Sequence, residues 1–311
     1  MKSHALLVLL LAASPWGTGC AVPGLLSEAG LYVDIVDKTL APGAVAYTPR
    51  FVLWSDGAEK SRWVVIPEGA VIDTSSMDAW VFPVGTQFFK EFRRDGRRVE
   101  TRLLEKDPGG WRAASYVWNA DESEAVLAPF FGQANVRGTA HDVPLRPDCA
   151  FCHGDAERPL GFTAMQLDHD GDGITLADLV AEGRVSDAPE GRLILPGSAV
   201  EQTALGVLHA NCGGCHAETG SQADLPLRFR LTTDALGTVE DTPAHRSAVG
   251  ERTDDPIEGL STYLAPGAPD ASLVLLRMSH RGDDVQMPPV GTEEVDEGGL
   301  AAVRAWVEAM P

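Results

Sequence analysis

Cysteine is scarce in this chain, five in 311 residues, which excludes a small scaffold stapled by a dense set of disulfides. Positive charge is also scarce: 25 Lys and Arg stand against 45 Asp and Glu, for a net charge of −20 with His neutral. So acidic a surface repels phosphate backbones, and no nucleic-acid partner is expected. It serves as a solvated coat and would steer basic redox proteins. Long apolar runs are missing, since the longest, Ala5 to Ala13, is far short of the roughly 20 residues a spanning helix needs. There is no low-complexity block, and 44% apolar with 23% charged residues suits an ordinary globular protein with room for two domains. There is also no G-x-S-x-G elbow, P-loop, H-E-x-x-H or G-x-G-x-x-G, so hydrolase readings have little support.

What the chain does have is a particular use of its few thiols. Four of the five fall in Cys149-Ala150-Phe151-Cys152-His153 and Cys212-Gly213-Gly214-Cys215-His216. Two thiols three positions apart can bond to both vinyl groups of a haem, while the His that follows supplies an axial nitrogen to iron. Four thiolates could instead hold one zinc, or each pair could be a redox dithiol or a disulfide. None of these needs a His directly after the second Cys, and His is only 8 of 311 residues. We therefore expect two covalently bound haem c groups, carried by Cys149, Cys152, Cys212 and Cys215, with His153 and His216 as metal ligands.

The fifth thiol belongs to an address label. Lys2, the apolar run and Gly17-Thr18-Gly19 before Cys20 make residues 1–19 an expected signal peptide. The cut site resembles a bacterial lipoprotein box, with Gly17 where Leu is usual, and Cys20 is the expected lipidation site. Loss of residues 1–19 removes Lys2 and no acid, taking the net charge from −20 to −21. Export to the periplasm or cell surface fits haem attachment, which takes place outside the cytoplasm. The membrane partner would then be reached through the lipid alone.

After a tether over 20–30, residues 31–145 read as a β-rich domain. Arg62 to Pro67, Ala79 to Phe82, Thr86 to Phe92, Val99 to Leu104 and Ala114 to Trp118 are short runs rich in β-branched and aromatic residues. Asp95-Gly96 is a hairpin signal, and Pro67-Glu68-Gly69 and Asp107-Pro108-Gly109-Gly110 are turns. The expected architecture is α+β: an N-terminal antiparallel sandwich or barrel, then a mainly helical haem region. Five of the seven Trp lie in the β segment and are expected to fill its core.

Residues 146–195 form the first haem region. Asp168, Asp170 and Asp172 with Gly173 imitate the start of a calcium loop, but the twelfth position is Leu179. Calcium is one reading; an acidic turn capping a helix near Thr175 is the other. His141, Met165 and His169 are the candidate sixth ligands of the first iron. From 196 to 311, Ser198 and Glu201 form a capping box for a helix into Cys212. A polar loop from Ala217 to Pro269, a helix from Ala271 to His280 and a final helix striped by Leu300, Val303, Val307 and Met310 follow. Between these helices Met287-Pro288-Pro289 presents a soft thioether suited to haem iron, with Met278 and His280 in reserve. This order of elements resembles a small class I cytochrome c domain. The clusters Asp121 to Glu124 and Glu293 to Glu297 read as solvated faces, the second also favouring a helix N-terminus.

The segments Leu26 to Leu31, Trp54 to Trp63, Phe82 to Thr86, Glu100 to Leu104 and Tyr116 to Asn119, with the two C-x-x-C-H motifs, resemble a poorly characterised family of bacterial diheme c-type cytochromes. The resemblance covers nearly the whole mature chain and implies two covalent haems and electron transfer between redox proteins. The acidic segment around Asp168 is shorter than that family's pattern. Two other functions fit the motifs: a diheme peroxidase with an open first iron, or the cytochrome subunit of an extracytoplasmic dehydrogenase.

Overall fold

The structure, a computed structural model, describes residues 22–153 and 159–311. The expected signal peptide and Cys20 lie outside the described residues. No helix among the described residues is long and apolar enough to cross a membrane.

The N-terminal half is built on one antiparallel six-stranded meander. A small hairpin, β1 (Tyr32–Asp34) and β2 (Thr39–Leu40), precedes it. The sheet comprises β3 (Ala44–Ala46), β4 (Glu59–Val65), β5 (Gln87–Arg94), β6 (Arg97–Asp107), β7 (Gly110–Trp118) and β8 (Ala125–Leu127), each beside the next. The β5–β6 turn is the expected Asp95-Gly96, with φ of 51° and 74°, the positive values a two-residue hairpin with right-handed twist requires. Two further departures concern the strands. The expected sandwich or barrel is a single open sheet, because residues 22–41 and the C-terminal half cover its two faces. Ala79 to Phe82 forms no strand; Val81 makes only an isolated bridge to Asp73.

Alternation along the strands separates the faces. On one, Trp63, Phe89, Leu103 and Ala114 align across four strands and pack with Leu26, Ala29, Leu31 and Tyr32. Leu26 and Leu31 are fully buried, so residues 22–30 pack beneath the sheet rather than form a tether. On the other face Val64 and Phe88 join a larger core that includes Phe162, Leu205, Leu208 and Trp306. This core runs without interruption across residues 145 and 195, joining sheet and helices.

The C-terminal half contains α1 (Cys149–His153), α2 (Ala164–Leu167), α3 (Leu176–Ala181), α4 (Ala199–Asn211), α5 (Pro243–Ala248), α6 (Leu273–Ser279) and α7 (Glu297–Ala309). Helix α4 starts at the expected Ser198–Glu201 capping box, and α3 at a second one, Thr175 with Asp178. Asp296 caps α7, its carboxylate accepting from the Gly299 N–H. The stretch expected as a polar loop, Ala217 to Pro269, instead holds α5 and the hairpin β9 (Arg252–Ile257) with β10 (Leu260–Thr262). Leu227, Phe229 and Leu231 from this stretch are buried, and their separation along irregular chain hides the periodicity that would announce them.

The acidic turn at Asp168 and Asp170 holds an ion pair. Arg192 meets Asp168 at 2.8 Å and Asp170 at 2.7 Å, and Asp168 also accepts the Leu193 N–H. Gly173 has φ of 85°, and a Cβ there would sit 2.7 Å from the Ala46 carbonyl oxygen. The glycine is needed for close approach to β3, and the loop ends as the acidic turn before Thr175. The cluster Asp121 to Glu124 is likewise tied down: Glu122 meets Arg98 and Arg137 at 3.0 Å each.

Candidate functional site

A helical turn places residues i and i+3 on one side, so a C-x-x-C segment in helical conformation aims both thiols the same way. The first pair lies within α1, entered through a tight turn with Pro147 near its start. The second begins at the C-cap of α4: Cys212 donates its N–H to the Leu208 carbonyl, and His216 donates to the Cys212 carbonyl at 2.9 Å. Gly213 is required there, since a Cβ would lie 2.6 Å from the His209 carbonyl oxygen.

Each pair borders a large cavity. The second cavity, about 1220 Å³ of space partly open to solvent, is lined by Cys212, Cys215, His216 and Met287 together with Leu227, Phe229, Tyr263 and Leu273. The first, about 1470 Å³, is lined by Cys149, Cys152 and His153, by Tyr47, Phe88, Lys90 and Arg102 from the sheet, and by Pro288 to Thr292. The two cavities share a wall, because Trp54, Asn211, Cys215, Pro288 and Pro289 line both.

The two motifs touch at that wall. The Cys215 thiol donates to the Phe151 carbonyl at 2.9 Å, and a Cβ on Gly214 would lie 3.3 Å from the Cys152 carbonyl oxygen. The four thiols do not converge: no group of three or more metal-binding side chains is found among the described residues. Their acidities also disfavour a redox dithiol, which needs a depressed pKa. Burial pushes the Cys212 thiol up to about 12 and raises Cys149, while a hydrogen bond with Cys215 and burial raise Cys152.

The second cavity is lined by both His216 and Met287. Burial, with Arg228 and Arg277 nearby, lowers the His216 pKa to about 4, so the ring is neutral and keeps a lone pair. Its Nδ1 is buried without a hydrogen-bond partner, and Phe229 packs edge-on at 5.7 Å. Met287 is held by backbone and by Gln286: its N–H donates to the Arg277 carbonyl at 2.9 Å, and Gln286 Nε2 donates to the Pro288 and Thr292 carbonyls. Asp56 then accepts the Glu293 and Glu294 N–H groups at 2.8 Å each, and Arg94 pairs with Glu294 at 2.8 Å. These bonds tie the loop to the sheet, so Glu294 is not part of a solvated face. Met278 borders the same cavity. His280 is engaged elsewhere, with Nδ1 2.9 Å from Asp283.

At the first site none of the expected sixth ligands lines the cavity. His141 is buried against Phe92 with Nε2 2.8 Å from Glu100. Met165 lies in the main core. Both His169 nitrogens are engaged, Nε2 with the Thr48 carbonyl at 2.6 Å and Nδ1 with the Gly171 N–H at 2.9 Å. The cavity wall instead presents Lys90 and Arg102. Sequence reading also missed Trp54, whose N–H donates to Asn211 and whose Nε1 donates to the Glu294 carbonyl; a Trp at a shared wall has the same sequence signature as one in a core.

Comparisons with protein-family models, curated proteins and solved structures found no match. The reading of the site therefore stands on the geometry of this chain.

Proposed function

We propose that this protein is an exported, lipid-anchored diheme c-type cytochrome that passes electrons between redox proteins, with haem c at Cys149 and Cys152 and at Cys212 and Cys215. The observation that carries this reading is the second cavity, whose lining brings both thiols, the neutral His216 and Met287 together. Haem bound there supplies iron that cycles between ferric and ferrous states. His216 and Met287 would hold that iron, and a His and Met pair would raise its potential. Leu227, Phe229 and Leu273 exclude water and favour the less charged reduced state. In this reading α4, α6, α7 and the Met287 loop form a class I cytochrome c-like frame. The contact of Cys215 with Phe151 supports passage of electrons from one site to the next. A redox titration of exported protein is expected to give two one-electron steps, the higher at the second site. Finding the second site lower would contradict this assignment.

One observation favours a second reading. No Met, and no His other than His153, lines the first cavity among the described residues, which suits an iron with an open position, as in a diheme peroxidase. A high-spin first haem with peroxide turnover would support that reading; a fully low-spin spectrum would exclude it.

A further inference from the structure

Strand register sets Arg62, Lys90 and Arg102 side by side across β4, β5 and β6. Lys60, two residues before Arg62, shares their face. Like charges directly opposite on a sheet destabilise it, and Arg62 is 6% exposed while Lys60, Lys90 and Arg102 are half-buried. Among the described residues the carboxylate paired with this row is Glu100, which meets Arg102 at 2.7 Å and is shared with His141 at 2.8 Å. Lys60 is satisfied by the Leu53 carbonyl and Ser55. Lys90 has no ion pair among the described residues; its amine lies over the Phe92 ring at 5.9 Å, and the charged and titratable groups that act on it most are Arg62, Arg102, Lys60 and the Cys152 thiol. Burial, then Arg62 and Arg102, drives its pKa well below the usual lysine value. A charged amine flanked by two guanidinium groups is disfavoured unless an anion offsets them, and Lys90 stands between Arg62 and Arg102.

Lys90 and Arg102 both line the first cavity beside Cys149, Cys152 and His153. An anion there would accept from the amine, offset the repulsion along the row and use the planar guanidinium of Arg102. We propose that Lys90 and Arg102, backed by Arg62, form an oxyanion-binding site in the wall of the first cavity, with a carboxylate as its ligand. The site rests on the haem reading in one respect: the carboxylate comes from the propionates of the haem attached at Cys149 and Cys152, or from a small free oxyanion that reaches the same wall.

The test uses exported protein shown to carry two haems per chain; a different count counts against the haem reading and leaves the anion site to be judged separately. Lys90→Met is compared with wild type by the ferric-to-ferrous ratio of the first haem at fixed ambient potential, with and without added acetate and inorganic phosphate. With propionates in the site, Lys90→Met shifts that ratio at least tenfold toward ferric, about 59 mV for one electron. Lys90→Arg restores it, and neither added anion has an effect. With a free oxyanion, acetate or phosphate shifts the wild-type ratio saturably and Lys90→Met abolishes the response. A chain with two haems that shows neither behaviour overturns the proposal. So does conversion of a low-spin first haem to high-spin in Lys90→Met that Lys90→Arg does not reverse, because Lys90 would then be an iron ligand. Should Lys90→Met fail to mature, Lys90→Gln gives the same readout.

Discussion

The two C-x-x-C-H segments share a pattern and differ in what faces them. The second follows a capped helix of 13 residues and looks across its cavity at Met287, on a loop fixed by Gln286 and Asp56. The first is itself a helix of five residues and looks at a sheet bearing Lys90 and Arg102. The thiols of each cavity are thus local in sequence, whereas the side chains across from them come from distant strands and loops. One wall offers a soft ligand and apolar cover, the other fixed positive charge.

The sharpest way to break the comparison is to remove one attachment site. Replacing Cys212 and Cys215 by Ala together is expected to halve the haem content, from two per chain to one, by absorbance of purified exported protein. Loss of both would show that the sites are not independent. Next in size, Met287→Ala is expected to lower the potential of the second haem by on the order of 0.1 V or more, within the roughly 0.8 V that axial ligation spans. The first haem should be unmoved. If Met278→Ala has that effect and Met287→Ala does not, Met278 is the ligand.

A third test addresses the sheet behind the first site. Burial opposes ionisation of Glu100, yet Arg102 and His141 hold its carboxyl down to about 2. Because this pKa is depressed, its stabilisation is complete above the unfolded value near 4.5 and is lost as pH falls toward about 2. Glu100→Gln is expected to cost about 1 to 3 kcal/mol in urea unfolding at pH 7, because the buried carboxylate loses its charge-assisted bonds to the half-buried Arg102 and to His141. The acid-dependent loss between pH 4.5 and 2 should shrink in the variant. The smallest effect is expected at Arg192→Ala, under about 1 kcal/mol, since the Arg192 side chain is 54% exposed and its pairs are largely screened.

Local signals were legible wherever neighbouring residues decide the outcome. Asp95-Gly96 turns the chain, and the Ser198 and Asp296 caps start α4 and α7, because each acts within four residues. Met287 lines one cavity with Cys212, Cys215 and His216, residues that lie more than 70 positions earlier in the chain. The sheet was harder. Alternation in β5 shows that Phe88, Lys90 and Phe92 share a face, but does not say whether that face meets water or another layer. Lys90 is half-buried and lines the first cavity, a placement that alternation alone does not reveal. The same ambiguity turned one open sheet into an expected sandwich, and left His141 a candidate ligand when Glu100 holds it.

The central claim is that both thiol pairs carry porphyrin. An alkaline pyridine haem spectrum on exported protein, with haem counted per chain, tests it most directly. The account predicts two haems bound through thioethers to both vinyl positions; colourless protein with zinc or disulfides at Cys149, Cys152, Cys212 and Cys215 would contradict it.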